Sequence, residues 1–308
     1  MLILGNSKFG IWIRLCCMVP IWFGCQEPTK VVKFEPGNIS TQAVEYSCSF
    51  SVDGNELYFA KSGQEWASGD MKSAIYHSVK QKGAWSKPKI VSFSGVYDDS
   101  DPHLTKDGNT LYFISNRASG NENVSADIWK VTKSKKGKWS LPEVLPYPIN
   151  SEKREYSPRT DGDGNLYFAS DRPGGYGQGD LYVSELRHEG FQPPENLGNI
   201  LNSSFGEWNL EVNDKGDLII FEASQRETNV SPYGDLYISF KQDNTWTQPQ
   251  NMEELNTPGS DLYPYLTPDG KKLYYTSSDS LKGKSTHIYV TDFRGLLNKY
   301  KHQAKILQ

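Results

Sequence analysis

Cysteine is scarce in this sequence of 308 residues. Three of its four cysteines, Cys16, Cys17 and Cys25, lie within the first 25 residues, which leaves only Cys48 in the rest of the chain. A single cysteine cannot form an intrachain disulfide, so a disulfide framework is excluded for the folded part. Cys48 stands in the alternating stretch YSCSFSV, which favours a buried, unreactive thiol.

Positive charge is not in excess. The chain has 33 Lys and Arg against 37 Asp and Glu, a net charge of −4, so we do not expect a nucleic-acid partner. The five histidines are scattered without the His-Glu-x-x-His or a comparable spacing, so neither a metal site nor another cofactor is predicted. The Gly-x-Ser-x-Gly elbow of acyl-transfer hydrolases is also absent.

The apolar run from Leu15 to Gly24 is too short to span a bilayer, and it follows Lys8 and Arg14 in an N-terminus without acidic residues. This pattern is typical of a secretory signal peptide. Because Gly24-Cys25 ends the run, we expect residues 1–25 to be a lipoprotein signal with Cys25 lipidated. The protein would then be periplasmic or an outer-membrane lipoprotein. Ordinary secretion, a mis-assigned start codon and a retained anchor are the alternatives.

Turn-forming and aromatic residues are abundant, with 27 Gly, 17 Pro and 13% aromatics, which favours many short strands joined by tight turns. Three markers recur with a period just above 50 residues. The first is a turn glycine: Gly54, Gly108, Gly164, Gly216 and Gly270. The second is an aromatic residue after Ile or Leu: Tyr76, Trp129, Tyr182, Tyr237 and Tyr289. The third is an aromatic-x-x-Pro unit: Trp85–Pro88, Trp139–Pro142, Phe191–Pro194 and Trp246–Pro249.

Each repeat contains four strand-like runs, in the third repeat EYSPRTD, NLYFASD, DLYVSEL and FQPPENL. Alternation places apolar side chains on both faces of such a sheet, and radial stacking of sheets covers both faces. We therefore predict an all-β protein, a propeller of about five four-stranded blades in a single domain over residues 26–292. The fifth repeat lacks its fourth strand, which residues 31–41 are expected to supply. For the tail, residues 293–308, a short helix is predicted, with Leu296, Leu297 and Tyr300 on one face.

The repeated DG-x-x-LYF-x-S-x-R, followed by DIY or DLY, resembles the TolB-type, WD40-like propeller repeat. That repeat occurs in periplasmic TolB and in many secreted proteins and lipoproteins of Bacteroidetes-like bacteria. The resemblance covers roughly residues 31–292 and implies the fold more than the function, because the repeat serves binding platforms, peptidase accessory domains and some lyases. TolB-type rings often have six blades, so a six-bladed ring is the alternative to the five repeats counted.

An acidic residue precedes each turn glycine by nine positions: Glu45, Asp99, Glu155, Glu207 and Asp261. Because the innermost strand of each blade lines the central channel, we expect these acids to form a ring near one mouth. Such a ring could attract cations or polyhydroxylated ligands. Alternatively, each acid caps a turn or pairs with a basic group of the neighbouring blade, for which Arg117, Arg172 and Arg226 are natural partners.

The function predicted from these features is an envelope-associated binding or scaffold module, a monomer that recognises a protein partner or a glycan fragment at the channel mouth. The predicted ligand-binding residues are the five acids together with Arg172 and Trp208, and Tyr156 and Tyr263 provide adjacent aromatic surfaces. Trp208 and Asp101 depart from the residues at equivalent repeat positions, and Trp208 either stacks on a sugar or packs between blades.

The alternative function is a polysaccharide-active hydrolase or lyase with axial carboxylates, for which Glu155, Glu207 and Asp261 are the candidate catalytic residues. An acid at the same position of every blade is more typical of a structural role in the repeat than of a catalytic pair, so an enzyme is the less favoured prediction. A purely structural partner of an envelope complex is the third possibility. An enzyme should show a deep axial pocket with two carboxylates unpaired by Arg, and a protein-binding module should show exposed aromatic side chains on one rim.

Overall fold

The computed structural model describes residues 29–69, 71–118, 126–278 and 284–306. The predicted signal peptide and Cys25 lie outside these ranges. The described chain forms five antiparallel blades around one axis, and the innermost strand of each blade contacts that of the next, with the fifth contacting the first. The all-β, five-bladed propeller is therefore confirmed. No helix in the described ranges is long and apolar enough to cross a membrane.

Each blade contains an inner, a second and a third strand. The inner strands are β2 (Val44–Phe50), β7 (Asp99–Leu104), β11 (Glu155–Thr160), β17 (Gly206–Val212) and β22 (Asp261–Leu266). The second strands are β3 (Glu56–Ser62), β8 (Thr110–Ser115), β12 (Leu166–Ser170), β18 (Leu218–Ser224) and β23 (Lys272–Ser277). The third strands are β4 (Ser73–Gln81), β9 (Asp127–Thr132), β13 (Asp180–Ser184), β19 (Asp235–Gln242) and β24 (His287–Asp292).

The outer edge of the blades is made of shorter pieces than the sequence predicts. These are β5 (Ala84–Trp85), β6 (Lys89–Ile90), β10 (Glu143–Val144), β14 (Leu186–Arg187), β15 (Gly190–Phe191), β16 (Glu195–Asn196), β20 (Thr245–Trp246) and β21 (Gln250–Asn251). In the first and fourth blades the proline of the aromatic-x-x-Pro unit stands between two pieces that both pair with the third strand. Proline has no N–H to donate, so it interrupts the ladder at that point.

The ring is closed by the N-terminal strand β1 (Val31–Lys33), as the sequence predicts. β1 pairs antiparallel with β24, with Val31 opposite Thr291 and Lys33 opposite Tyr289. The N–H of Phe34 then donates to the carbonyl of Ile288 at 2.8 Å. The last blade thus combines one strand from the N-terminal part of the described chain with three strands from its C-terminal part, and β1 covers the outer edge of β24.

The hydrophobic core of the described chain has six clusters, five of which lie one between each pair of neighbouring blades, while a small sixth cluster surrounds Val44 and Tyr46 of the first blade. Between the fifth and first blades, for example, Phe34 and Tyr274 pack against Phe50 and Trp85. Cys48 is buried in the same cluster, as predicted, and burial raises the pKa of its thiol. Blade contacts therefore bury the apolar side chains of both sheet faces.

The C-terminal segment forms helix α1 (Arg294–Ile306), which packs against the cluster between the fourth and fifth blades. Leu296, Tyr300 and Ala304 recur at a spacing of four residues and are buried in that cluster. Leu297, on an adjacent face of the helix, is only partly buried. The helix therefore covers part of one end of the ring.

The two ends of the ring differ in the segments that they carry. In all five blades the register of the inner and second strands places the start of the inner strand beside the end of the second strand. We call this end the loop face, because the connections into the inner strands and the loops after the second strands lie there. The opposite end, the turn face, carries the hairpin turns around the five repeat glycines, whose φ values of +64 to +87 require the left-handed region that glycine favours.

Candidate functional site

The five predicted ring acids lie at the loop-face ends of the inner strands, and each of them is 0% exposed. In three blades an arginine just after the second strand pairs with the acid: Arg117 with Asp99 at 2.7 Å, Arg172 with Glu155 at 3.1 Å and Arg226 with Glu207 at 2.7 Å. The pairing that the sequence suggested is therefore present, but it lies within one blade and does not link neighbouring blades.

Each arginine of these pairs is also held by aromatic rings and by the connecting segment. Arg226 lies over Phe221 and Tyr237, with 5.3 Å and 5.2 Å from the guanidinium carbon to the ring centres. On the carboxylate side, the hydroxyl of Ser203 donates to Glu207 at 2.7 Å. The acid, the arginine and the hydroxyl thus fasten the second strand to the connection that enters the blade.

The first and fifth blades carry variants of this arrangement. Glu45 pairs with Lys61 at 2.9 Å. Asp261 accepts hydrogen bonds from Thr257 but has no cationic partner in the described residues. Burial raises the pKa of Asp261 to about 6, and it also raises the pKa of Glu155.

An enzyme was expected to have two axial carboxylates without an arginine partner, and the three candidate catalytic acids do not provide such a pair. Glu155 and Glu207 are both arginine-paired and enclosed, and only Asp261 lacks a cation within the described ranges. The sequence suggested that the acids would converge as free carboxylates. The structure instead buries all three of them and pairs two with arginine. Their geometry matches the structural alternative.

The two other predicted ligand-binding residues are likewise engaged by the fold. Arg172 donates to the carbonyls of Pro148 and Ile149 in addition to Glu155. Trp208 is half-buried, and its ring lies so close to Gly179 and Gly206 that a Cβ on either glycine would overlap it. It therefore packs between the third and fourth blades.

Aromatic side chains surround the axis at the loop face. Tyr46 packs against Trp66 and Tyr263, with ring centres 5.4 Å and 5.1 Å away, and these two rings also contact each other at 6.5 Å. Tyr156 meets Trp208 edge-on at 5.5 Å. Tyr156 and Tyr263, predicted as aromatic surfaces beside the mouth, are both half-buried there.

Deeper in the channel, every inner strand has a bulge two residues after the ring acid. Asp101, which the sequence marked as a departure from the repeat, is one of four bulge residues with φ between +47 and +53. Its Oδ2 accepts the N–H of Ser157, the equivalent bulge residue of the next blade, at 3.0 Å. Burial raises the pKa of Asp101 to about 6, although the nearby Arg159 charge opposes this shift.

Four positions after the ring acids lies a second axial layer that sequence reasoning did not find: Ser49, His103, Arg159, Glu211 and Tyr265. Arg159 is 1% exposed, and its Nε donates to Glu211 at 3.0 Å. Burial raises the pKa of Glu211 to about 7, against the effect of Arg159. The signal in the sequence was a break in repeat symmetry, since one position carries Ser, His, Arg, Glu and Tyr in the five blades.

This second layer closes the inner end of a cavity of about 280 Å³ that opens at the turn face. His103, Thr160, Glu211 and Tyr265 line its inner part, and Lys106, Lys215 and Lys301 stand among the residues toward the turns and α1. No group of three or more His, Cys, Asp or Glu side chains suited to a metal ion occurs in the described ranges.

The loop face differs from the turn face in exposed apolar side chains. Of the twelve exposed large hydrophobic residues in the described chain, seven lie on loop-face segments: Val96, Tyr97, Tyr147, Tyr176, Phe205, Val230 and Tyr233. All five exposed aromatic residues of the described chain are among them. An exposed apolar surface on one rim was the feature expected of a protein-binding module.

No protein-family model matches the chain, and no curated protein matches it. Solved structures similar to it include a glycoside hydrolase, at 11% identity over 82% of this chain and 89% of that one, with a TM-score of 0.57. An RGII complex of BT0996 matches at 10% identity over 82% of this chain and 88% of that one, with a TM-score of 0.56. TolB from Acinetobacter baumannii matches at 14% identity over 81% and 54%, with a TM-score of 0.49.

The ring of five antiparallel blades defines the class of protein as a β-propeller. The structural neighbours include TolB and other propeller proteins, and this chain has five blades. It spans about half of the length of the TolB chain that it matches. At identities of 10% to 14% the likeness concerns the fold alone.

Proposed function

We propose that this protein is an envelope-associated binding module that recognises a protein partner with its loop face. The observation that carries the proposal is the position of the exposed aromatic side chains, all five of which lie on that face within the described chain. Secretion to the envelope of a Gram-negative bacterium, with a lipid anchor on Cys25, is part of the same proposal and is supported by the N-terminal sequence pattern.

The chemistry of the exposed side chains suits a protein partner. Four of the five are tyrosines, at positions 97, 147, 176 and 233. Tyrosine provides a large apolar surface with a polar tip at a low cost in side-chain entropy, and it is enriched in the residues that contribute most to protein interfaces. The blades beneath are fixed by ion pairs and interblade clusters, so these side chains stand on a rigid base.

The proposal can be tested by placing a photo-crosslinking phenylalanine analogue at Tyr147, Tyr176 or Tyr233 of the full chain in its own host cells. The analogue keeps an aromatic ring at each position. We expect each of these chains to form a discrete adduct with one envelope protein after irradiation.

The matched control is the analogue at Leu141, which is 86% exposed, as Tyr147 is 85% exposed, but lies on the turn-face side of the second blade. It should form no such adduct. No adduct at the three tyrosines, or equal labelling from Leu141, would reject the loop face as the partner site. A carbohydrate adduct at the tyrosines would indicate that the loop face binds a glycan and not a protein.

A further inference from the structure

We propose that a second cavity at the turn face, between the fifth and first blades, binds a neutral sugar. This cavity has a volume of about 470 Å³, and its lining comes from the residues after β1 and from the turn-face ends of both blades. It adjoins the cavity of about 280 Å³ described above, and Phe50 and Tyr265 line both. The site is separate from the loop face and does not depend on the function proposed above.

One wall of this cavity is aromatic. Five aromatic residues of the cluster that closes the ring line it: Phe34, Phe50, Trp85, Tyr265 and Tyr274. These residues are 6% to 9% exposed, so the core fixes each of them while part of its surface stays accessible. A rigid aromatic wall favours a ligand with an apolar face, because contact with it costs little side-chain freedom.

Two of these aromatic residues carry a polar atom that the fold does not use. The indole N–H of Trp85 and the hydroxyl of Tyr274 form no hydrogen bond within the described chain, and neither atom is sealed from solvent. By contrast, the hydroxyl of Tyr265 donates to the carbonyl of Phe50 at 3.4 Å. Trp85 therefore offers a donor, and Tyr274 offers both a donor and an acceptor, to a ligand in the cavity.

The charged groups of the lining are balanced in sign. There are three carboxylates and three lysines: Glu35, Asp53, Asp269, Lys80, Lys271 and Lys272. Lys271 lies 3.0 Å from Asp269, whereas Glu35, Lys80 and Lys272 form no ion pair among the described residues. Because groups of both signs line the same cavity, the lining favours a ligand without net charge over an anion or a cation.

A sugar has the three properties that this lining selects. One face of its ring consists of C–H groups, its hydroxyls both donate and accept hydrogen bonds, and it carries no charge. Lysine only donates and a carboxylate only accepts, so a hydroxyl can bond to either. The volume of about 470 Å³ lies in the lower part of the range for small-molecule sites, which favours a single sugar over a long oligomer.

Saturation-transfer NMR of the full chain with glucose, galactose, mannose and N-acetylglucosamine tests the site. We expect saturable binding of at least one of these sugars, with the strongest transfer to its ring C–H protons. The uronate and the amino sugar that correspond to each bound sugar serve as its charged counterparts. Both should bind more weakly, because each brings one uncompensated charge to a balanced lining.

Trp85→Phe and Tyr274→Phe place the ligand in this cavity, because they remove the two unused polar atoms and keep an aromatic ring. Each change should weaken sugar binding by about threefold or more, as expected for the loss of one hydrogen bond. The matched controls are Trp246→Phe and Tyr112→Phe, the same changes at equivalent repeat positions of the fourth and second blades. Trp246 and Tyr112 are 8% and 9% exposed and do not line the cavity, so these changes should leave binding unaltered.

Lys272→Ala tests the same site without changing the core, because Lys272 is exposed and lines the cavity. It should also weaken sugar binding by about threefold. Lys87→Ala, at an exposed lysine of the first blade that does not line the cavity, should have no effect. No saturable binding of any of the four sugars, tighter binding of a charged counterpart than of its neutral parent, or equal effects of the test and control changes would overturn the proposal.

Discussion

Glu207 and Asp261 occupy the same repeat position in neighbouring blades, but only Glu207 has an arginine beside it in the described chain. Both carboxylates are fully buried, so each loses the hydration that would stabilise its ionised form. For Glu207 the Arg226 charge and the hydroxyl of Ser203 offset this loss. For Asp261 hydroxyl and backbone donors alone are available, and the pKa of the carboxyl is raised.

We therefore expect Glu207→Gln to be far more destabilising than Asp261→Asn. The first change leaves the Arg226 guanidinium enclosed without its counter-charge, which should cost about 3 kcal/mol of unfolding free energy. The second removes a carboxylate whose ionisation opposes folding, so the variant should lose no more than about 1 kcal/mol at neutral pH and should gain stability where this effect exceeds the loss of the Thr257 hydrogen bonds. Urea unfolding of the two variants measures both values. Equal losses would contradict the role given to the arginine.

Glu222, in the second strand of the fourth blade, is the buried acid with the clearest expected pH effect. Burial raises the pKa of Glu222 to about 8, the Asn209 hydrogen bond opposes the shift, and the charges of Asp101, Asp261 and Asp235 add to it. The folded state therefore keeps a proton that the unfolded chain loses near the ordinary pKa of 4.5. The contribution of Glu222 to stability must fall as the pH rises from about 4.5 to about 8.

Glu222→Gln should remove this part of the pH dependence, because the amide resembles the protonated carboxyl and does not ionise. The variant should match the unaltered chain at about pH 5 and exceed it by on the order of a few kcal/mol at about pH 8.5. Urea unfolding at several pH values gives the comparison. Asp101 and Glu211 are present in both proteins, so their own titrations do not produce the difference. If the two proteins differ in unfolding free energy by the same amount at every pH in this range, Glu222 does not keep its proton in the folded state.

At the scale of elements, the strand that closes the ring is anchored by one side chain. Phe34 follows β1 directly, and its ring lies 5.2 Å from that of Tyr274 and 6.0 Å from that of Trp85. β1 itself has only three residues, so its backbone hydrogen bonds are few. We therefore expect the aromatic contact between the last and first blades to stabilise the closed ring more than the backbone hydrogen bonds of β1 do.

Phe34→Ala should destabilise the protein by about 3 to 5 kcal/mol, because it opens a cavity between two blades. Val32→Ala changes the same strand at a residue that is 42% exposed, and it should have an effect within about 0.5 kcal/mol. Thermal and urea unfolding of both variants provide the measurement. A similar small effect of the two changes would mean that closure does not depend on Phe34.

The blades, their number and the closing strand were predictable from the sequence because each repeat has its own turn glycine and strand pattern. Gly54 and Gly164, for example, adopt the left-handed φ that the Asp-Gly turn requires. The axial residues were not predictable in the same way. The bulge in each inner strand shifts the alternation of side chains, so the faces of His103, Arg159 and Glu211 do not follow from the strand pattern alone.

The partners of the ring acids were predictable only in part. Arg117, Arg172 and Arg226 were identified because they stand at equivalent places after the second strands. That they bind within the same blade depends on the direction of the second strand, which returns its end to the start of the inner strand. The availability of the acids to a ligand depends on burial, which repeat spacing does not report.

At the scale of the whole molecule, the two faces of the ring carry different chemistry. The loop face presents the exposed aromatic side chains, while the turn face contains the polar cavity with its lysines and is partly covered by α1. The ion pairs of the ring acids hold the strand ends at the loop face, and the five interblade clusters hold the blades together. Such a base presents its surface side chains at little cost in conformational freedom.

Whether the partner binds at the loop face is best tested by the dissociation constant of the crosslinked partner. It should be measured for the unaltered chain and for Tyr176→Ala, Tyr233→Ala and Leu141→Ala. All four proteins should have the same melting temperature, because the changed side chains are exposed. We expect about tenfold weaker binding or worse for the two tyrosine variants, and a change within about twofold for Leu141→Ala. Unaltered binding by both tyrosine variants, or an equal loss in Leu141→Ala, would contradict it.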